Sequence, residues 1–399
     1  MKENKKILII HDRFKFKGGA ERLVLIMAQG LGADIATEYW NEDESFSKEE
    51  VDGKIIIIGK QIKHTGLSYF SAQWRFFWQT KFIKDYDIII FSGNNCLSSA
   101  WRARGKRKIM YCHTPVRYAY DLKNYYLKQK SWWKKPLFLF FVFVARVIYK
   151  WGIKKMDVVL CNSKNVQNRL QKYCNTESKV VYPPIISFCH SERGTSEESI
   201  CKSIELDPSL RSVSLHSTQD DKKTNNYYLS FGRLDKLKRI DDVVKTFQKL
   251  PNKKLVIASG GPELENIREM TEGHPAQAYG GAGKNIQVLG FVSDEKLAEL
   301  VSNCIANIYI PVDEDFGMSP LEAGAAGKPT IGVDDGGLKE TIVHEKTGYL
   351  IPVDYKISDL IKAVRWMTPE KAESMKNNCV KQAEKFSKEK FVESVKNVL

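Results

Sequence analysis

The feature that most constrains this chain is a rhythm that stops and starts again. KILII at 6–10 is followed by a loop holding Gly18-Gly19 and by ERLVLIMAQGL, whose apolar residues recur at helical spacing. Further short apolar runs follow: KIIII (54–58), YDIIIF (86–91), KIMYC (108–112) and DVVLC (157–161). After residue 226 the pattern resumes with NYYLSFGRL, KLVIASG, IQVLGFV, NIYIPV and PTIGV, most of them separated by helical segments. Strands that read as continuous apolar runs are buried on both faces, and alternation with helices makes their sheet parallel. The expectation is an α/β chain with two parallel-sheet domains, which 399 residues can comfortably form.

Between the two halves, residues 187–226 are Ser-rich, charged and without apolar periodicity. We read them as a flexible linker insertion; their texture resembles a translated palindromic repeat element. The expected organisation is therefore an N-terminal domain over 1–186, the linker over 187–226, a C-terminal domain over 227–385, and a last helix over 386–399 that packs back on the N-terminal domain.

Composition excludes several classes. With 43% hydrophobic and 28% charged residues the chain reads as soluble and globular. The 62 Lys and Arg against 48 acids favour anionic partners; run by run the bases read as spread along the chain, and no recognised nucleic-acid motif appears, so a nucleic-acid partner is not expected. The eight cysteines have neither C-x-x-C pairing nor finger spacing to histidine, which argues against a disulfide framework or a zinc site. Met1 leads through charged residues into KKILII, so a cytoplasmic location is expected. The segment 131–155, SWWKKPLFLFFVFVARVIYKWGIKK, breaks at Arg146 before reaching the length of a spanning helix. It fits a core helix or an interfacial anchor with Trp and Lys at its ends, and WRARGKRK at 101–108 would add attraction to an anionic membrane surface.

Four stretches carry possible chemistry. In EDFGMSPLE (314–322), Ser319 is expected as a helix N-cap with Glu322 at the capping-box position. That leaves Glu314 and the Phe316-Gly317 turn to bind phosphate or sugar oxygens at a helix start. In FGRLDKLKRID (231–241), Arg233 and Lys238 fall at the carboxyl end of a strand, where open α/β sheets bind ligands. Arg can grip a diphosphate bidentately and Lys can neutralise it, although a solvated basic helix start would look the same. GGAER (18–22) allows close backbone approach to a phosphate or serves as a simple turn, and in YCHTP (111–115) His113 ends a strand before a Pro turn.

GGAER, HTP, GRLDKLK, SGGPEL, E-x-F-G-x-x-x-x-E and GGLKETI occur in this order, and together the chain resembles the retaining GT-B glycosyltransferases of family four over nearly its whole length. YCHTPVRYAYD and GRLDKLKRID are similar to the subgroup that transfers mannose in surface polysaccharide (O-antigen) assembly. The resemblance implies a fold of two Rossmann-like domains facing each other across a cleft. It implies catalytic roles for Arg233, Lys238, Glu314 and His113, with Arg233 and Lys238 on the donor diphosphate and Glu314 on the transferred sugar. Donor binding would fall to Gly18, Gly19, Phe316, Gly317, Met318 and Glu322, the last on the ribose. It implies a nucleotide-sugar donor, GDP-mannose favoured over a UDP-sugar, a lipid-linked oligosaccharide or polysaccharide acceptor, and no metal or other cofactor, although Asp313-Glu314-Asp315 spells D-x-D. Arg239, where relatives often have Gly, and Leu338, where they often have Pro, are departures. A sugar-nucleotide epimerase or phosphorylase on the same fold, or a non-enzymatic basic membrane- or nucleic-acid-binding protein, are the alternatives.

Overall fold

The computed structural model describes residues 5–62, 65–185, 226–272 and 285–399. All but the last residue of the 187–226 stretch read as a linker lies outside the described residues. The chain divides into two compact units, Met1–Pro184 with Lys388–Leu399, and Ile185–Ser387. The second unit takes in Ile185 because its N–H donates to the Phe386 carbonyl at 2.7 Å.

Among the described residues the first unit is built on seven strands: β1 (Ile7–His11), β2 (Asp34–Thr37), β3 (Ile55–Ile57), β4 (Ile88–Ser92), β5 (Arg107–Cys112), β6 (Val158–Cys161) and β7 (Lys179–Val180). They lie in the order β3-β2-β1-β4-β5-β6-β7, every neighbouring pair parallel. Leu8, Ile9 and Ile10 are all fully buried, as a central strand covered on both faces requires. The short β2 and β7 are not announced by an apolar run; DIAT gains its place by pairing on both sides, Ile9 with Ile35 and Ile35 with Ile55.

The C-terminal helix Lys388–Lys396 completes this unit. Its Phe391 and Val395 are buried in the same cluster as Val24, Met27 and Ile9, and the Phe391 ring lies 5.8 Å from that of Tyr111. Burial of one such Phe contributes about 1.5–3 kcal/mol. Gly30 of the helix Gly19–Leu31 is needed for this packing, because a Cβ there would come within 2.5 Å of Val392.

The helix Lys135–Ile153 has two apolar faces with different fates. Val142, Ala145, Tyr149 and Ile153 are buried in the unit's core, while Leu137, Phe140, Phe143 and Val147 are exposed. Arg146, which breaks the apolar run, donates from Nε to the Ala119 carbonyl at 2.7 Å and ties the helix along the unit.

Among the described residues the second unit holds six parallel strands: β8 (Tyr227–Phe231), β9 (Lys254–Ala258), β10 (Ile286–Val288), β11 (Asn307–Tyr309), β12 (Thr330–Val333) and β13 (Gly348–Ile351). Their order is β10-β9-β8-β11-β12-β13. In each sheet the chain winds outward first one way and then the other. The winding reverses between β1 and β4 in the first unit and between β8 and β11 in the second, and ligands bind at such reversals, beyond the strands' carboxyl ends.

Candidate functional site

In the second unit the loops after β8 and β11 bring an ion pair to the reversal point. Lys238 ends a short 3-10 turn, Lys236–Lys238, whose start is capped by Asp235 accepting from the Leu237 N–H at 2.9 Å. Lys238 Nζ donates to Glu314 Oε2 at 2.7 Å and to the Tyr309 hydroxyl at 2.6 Å, and that hydroxyl donates to the same Glu314 oxygen at 3.1 Å. The Val312 N–H, donating to the Leu237 carbonyl at 2.8 Å, holds the two loops side by side. Burial works against the Lys238 ammonium, but the Tyr309 oxygen and the Glu314 carboxylate outweigh it, and its pKa lies above the ordinary lysine value. Burial, with the Glu314 carboxylate, also keeps the Tyr309 phenol above its usual range and therefore protonated.

The loop after Glu314 is locked from the other side. The Gly337 N–H donates to the Glu314 carbonyl at 2.8 Å and the Asp313 N–H to Asp335 Oδ2 at 2.8 Å. A Cβ on Gly337 would sit 2.4 Å from Phe316 Cα and 2.5 Å from the Asp315 carbonyl oxygen, so this approach of two backbones requires glycine. Phe316 is buried, and Gly317, at φ 91°, turns the chain into the helix Met318–Ala325. Gly232, at φ 125°, has the Tyr309 ring and Ser319 Oγ close to its Cβ position, which sets the end of β8 against the start of that helix.

In the first unit the corresponding end carries polar side chains in contact. His11 Nδ1 hydrogen-bonds the Ser92 carbonyl, and Ser92 Oγ pairs with His113 Nε2 at 2.7 Å. The rings of His11 and His113 lie 6.3 Å apart. Burial and the neighbouring His11 push the His113 pKa down to about 3, so its imidazole is neutral at physiological pH. Asp12 accepts backbone N–H groups from Asn94 and Asn95, each at 2.9 Å, and from Cys96 at 2.8 Å, fixing the loop after β4. Gly18 caps the helix Gly19–Leu31, and a Cβ there would meet Glu21 Oε2 at 2.3 Å. Burial raises the Glu21 carboxyl pKa, with His11 pulling the other way.

Residues 17–186 match the family described as Glycosyltransferase Family 4 and residues 215–386 the family of Glycosyl transferases group 1. The chain is a GT-B glycosyltransferase. Alpha-1,3/1,6-mannosyltransferase ALG2 of Homo sapiens is 25% identical to it over 410 residues, covering 95% of this chain and 92% of that protein. Its Dictyostelium discoideum counterpart is 24% identical over 389 residues, covering 86% and 85%. Among solved structures, Anabaena Alr3699/HepE in complex with UDP superposes with a TM-score of 0.71 at 16% identity over 98% of both chains, a likeness of fold.

Most of the glycosyltransferase's expected donor-side residues come together. Lys238 and Glu314 touch, and Phe316, Gly317 and Met318 form the turn into the adjoining helix. Arg233 lies exposed beyond the end of β8. The expected capping box at Ser319 and Glu322 is not formed. Gly317 is the N-cap, Ser319 is buried inside the first turn, and Glu322 lies farther along the helix, partly buried, because the left-handed turn at Gly317 starts the helix two residues early.

The two departures acquire reasons. Arg239 adopts φ 53°, the left-handed conformation glycine takes without cost, and its guanidinium lies 5.4 Å from the Tyr355 ring centre. Leu338 is fully buried and covers Gly317, whose Cβ position is 2.6 Å from Leu338 Cδ2. Tyr309 and Asp12 join these clusters without a motif that marks them. Tyr309 lies within an apolar strand run, and only its place at that strand's last position sets it apart. Asp12 directly follows β1, just past an apolar run.

Proposed function

We propose that this glycosyltransferase moves mannose from GDP-mannose, with retention, onto a lipid-linked oligosaccharide in cell-surface glycan assembly. The observation that carries the reading is the Lys238–Glu314 pair at the reversal of the second sheet. Cleaving the bond between the anomeric carbon and the donor phosphate places negative charge on the leaving diphosphate. Fixed cations at that position are then the largest expected catalytic term.

Of the three Lys238 N–H donors, two go to Tyr309 and Glu314; the third is the one we assign to a phosphate oxygen, with Arg233 as a bidentate partner. With these cations the reaction proceeds without metal in this account. The Glu314 carboxylate, oriented by Lys238 and Tyr309, binds hydroxyls of the transferred sugar. The N–H groups of Phe316, Gly317 and Met318 support it, and Glu322 binds the ribose. In the first unit, neutral His113 offers a hydrogen bond to a sugar hydroxyl, and we assign the helix start at Gly18-Gly19 to a phosphate.

As the diphosphate leaves, the acceptor hydroxyl oxygen bonds the anomeric carbon from the same face. Its proton passes to the departing phosphate oxygen, so charge and atoms balance. The relatives named alpha-1,3/1,6-mannosyltransferase support both the sugar and the outcome, since an α-linked product from the α-linked donor is retention. We place the enzyme on the cytoplasmic side of the membrane as a peripheral protein, supported by the exposed apolar stripe of Lys135–Ile153.

The test is incubation with GDP-mannose and a lipid-linked oligosaccharide, with the product linkage read by NMR. An α-linked mannose is expected. Transfer from a UDP-sugar but not from GDP-mannose would discard the donor, and a β-linked product would discard retention.

A further inference from the structure

The helix Lys135–Ile153 does not present its exposed apolar stripe alone. On the helix Thr65–Trp78 of the same unit, Phe70, Trp74 and Trp78 stand at four-residue intervals on one face, 49%, 63% and 46% exposed. The two helices meet through aromatic rings: Phe141 lies 4.8 Å from Tyr69 and 6.1 Å from Phe70. At the far end, Trp78 approaches Trp101 at 6.2 Å, and Arg102 lies over the Trp101 ring at 4.2 Å while donating to the Phe77 and Trp78 carbonyls that end the helix. Trp132 and Trp133, 82% and 60% exposed, extend the surface at the start of the other helix. Rows of exposed rings and aliphatic chains of this extent mark an interaction surface rather than scattered exposure.

The charge around this surface is one-sided. Residues 53–156 hold 21 Lys and Arg and three acids, Asp85, Asp87 and Asp121, against 62 and 48 in the whole chain. The rest of the chain, with 41 bases and 45 acids, is slightly acidic, so the positive charge is concentrated here and not spread along the sequence. No acid occurs from Leu122 to Met156, which spans the whole of one helix, or from Gly53 to Lys84, which spans the other.

We propose that the two helices together form a docking face for one leaflet of an anionic bilayer, with Phe70, Trp74 and Trp78 entering the interface beside Phe140, Phe143 and Val147. Amphipathic rings settle at the headgroup level and the surrounding Lys and Arg meet anionic headgroups. Aliphatic Leu137 and Val147 among the rings favour acyl chains over stacked nucleic-acid bases. The face also connects inward. Gln73, one residue from Trp74 and on the buried side, donates to Asn95 Oδ1 at 2.9 Å and accepts from Ser98, in the loop that Asp12 holds at the end of β4. Docking would thus set the bilayer beside the sheet end nearest its lipid-linked acceptor, and in that respect the inference rests on the acceptor proposed above.

The test is flotation of the full chain with phosphatidylcholine vesicles with and without phosphatidylglycerol, for the wild type, Phe70→Ser/Trp74→Ser/Trp78→Ser, and Phe140→Ser/Phe143→Ser. Circular dichroism and nucleoside-diphosphate binding confirm that the variants are folded. We expect salt-sensitive binding to the anionic vesicles, reduced about tenfold or more by either set of substitutions. Undiminished binding by the folded Phe70/Trp74/Trp78 variant would overturn the two-helix face, as would stronger binding to RNA than to anionic vesicles. Mannose transfer to a detergent-solubilised acceptor is read separately. Vesicle binding without transfer would sink the acceptor reading alone, and transfer without vesicle binding would sink the docking face alone.

Discussion

Lys238 Nζ stands 2.7 Å from Glu314 Oε2, joining the loops that follow the two strands at which the second sheet reverses its winding. The two side chains are 19% and 18% exposed, enough to meet a ligand and too little for water to screen the pair fully. The cation thereby orients the carboxylate, and Tyr309 holds both.

Removing the cation should therefore damage chemistry more than folding. Lys238→Met is expected to cost about 1–3 kcal/mol of stability, because Glu314 keeps the Tyr309 hydrogen bond but loses its counter-charge. Mannose transfer should fall by about 10²–10³-fold. Denaturant melts and steady-state rates read the two effects, and a variant that transfers at the wild-type rate would remove Lys238 from the mechanism.

Gly337→Ala tests the backbone lock. A methyl group there meets main-chain atoms of Asp315 and Phe316, which cannot rotate away as a side-chain end would. The loop carrying Glu314 must shift, at a cost of about 1–3 kcal/mol. Nucleoside-diphosphate affinity, measured on the folded fraction, should drop together with the melting temperature.

Arg239→Gly should act in the opposite direction. Relieving the left-handed backbone at φ 53° stabilises by about 1 kcal/mol, less the stacking of the guanidinium on Tyr355. Equilibrium unfolding should show a gain of about 0–1 kcal/mol with transfer unchanged. A clear loss of transfer would show that Arg239 contacts the donor.

His113 sets a pH dependence whose sign is fixed. Its folded pKa of about 3 lies below the ordinary value of 6.5. Between these values the unfolded chain holds a proton that the folded one lacks. Stability should therefore fall as pH falls from about 6.5 toward 3. Glu21 and Glu38, both raised by burial above 4.5, tilt the curve the other way as pH rises through that value. They are present in His113→Asn as well, so the difference between wild type and variant isolates the histidine. A difference independent of pH would contradict this account.

Much of this was legible in the sequence because parallel strands buried on both faces cannot hide. Ile7–His11 and Ile88–Ser92 are Ile-rich, and Arg233, Lys238 and Glu314 follow such runs. What escaped depends on geometry that residue type does not encode. Ser319-Pro320 looks like a helix start, but Gly317 reaches the left-handed conformation first. Tyr309 and Asp12 belong to their sites through partners 71 and 84 residues away, Lys238 and Cys96. Trp74 and Trp78 are left on the outer face because their neighbours Gln73 and Phe76 take the buried side, which residue type alone does not decide; the acid-free stretch around them was the available signal.

The central claim is tested most directly by calorimetry of the purified protein with GDP, UDP, ADP and CMP, beside Arg233→Ala. The account predicts tight binding of GDP alone, lost in the folded Arg233→Ala variant. Binding of UDP in preference to GDP, or GDP binding indifferent to Arg233, would contradict it.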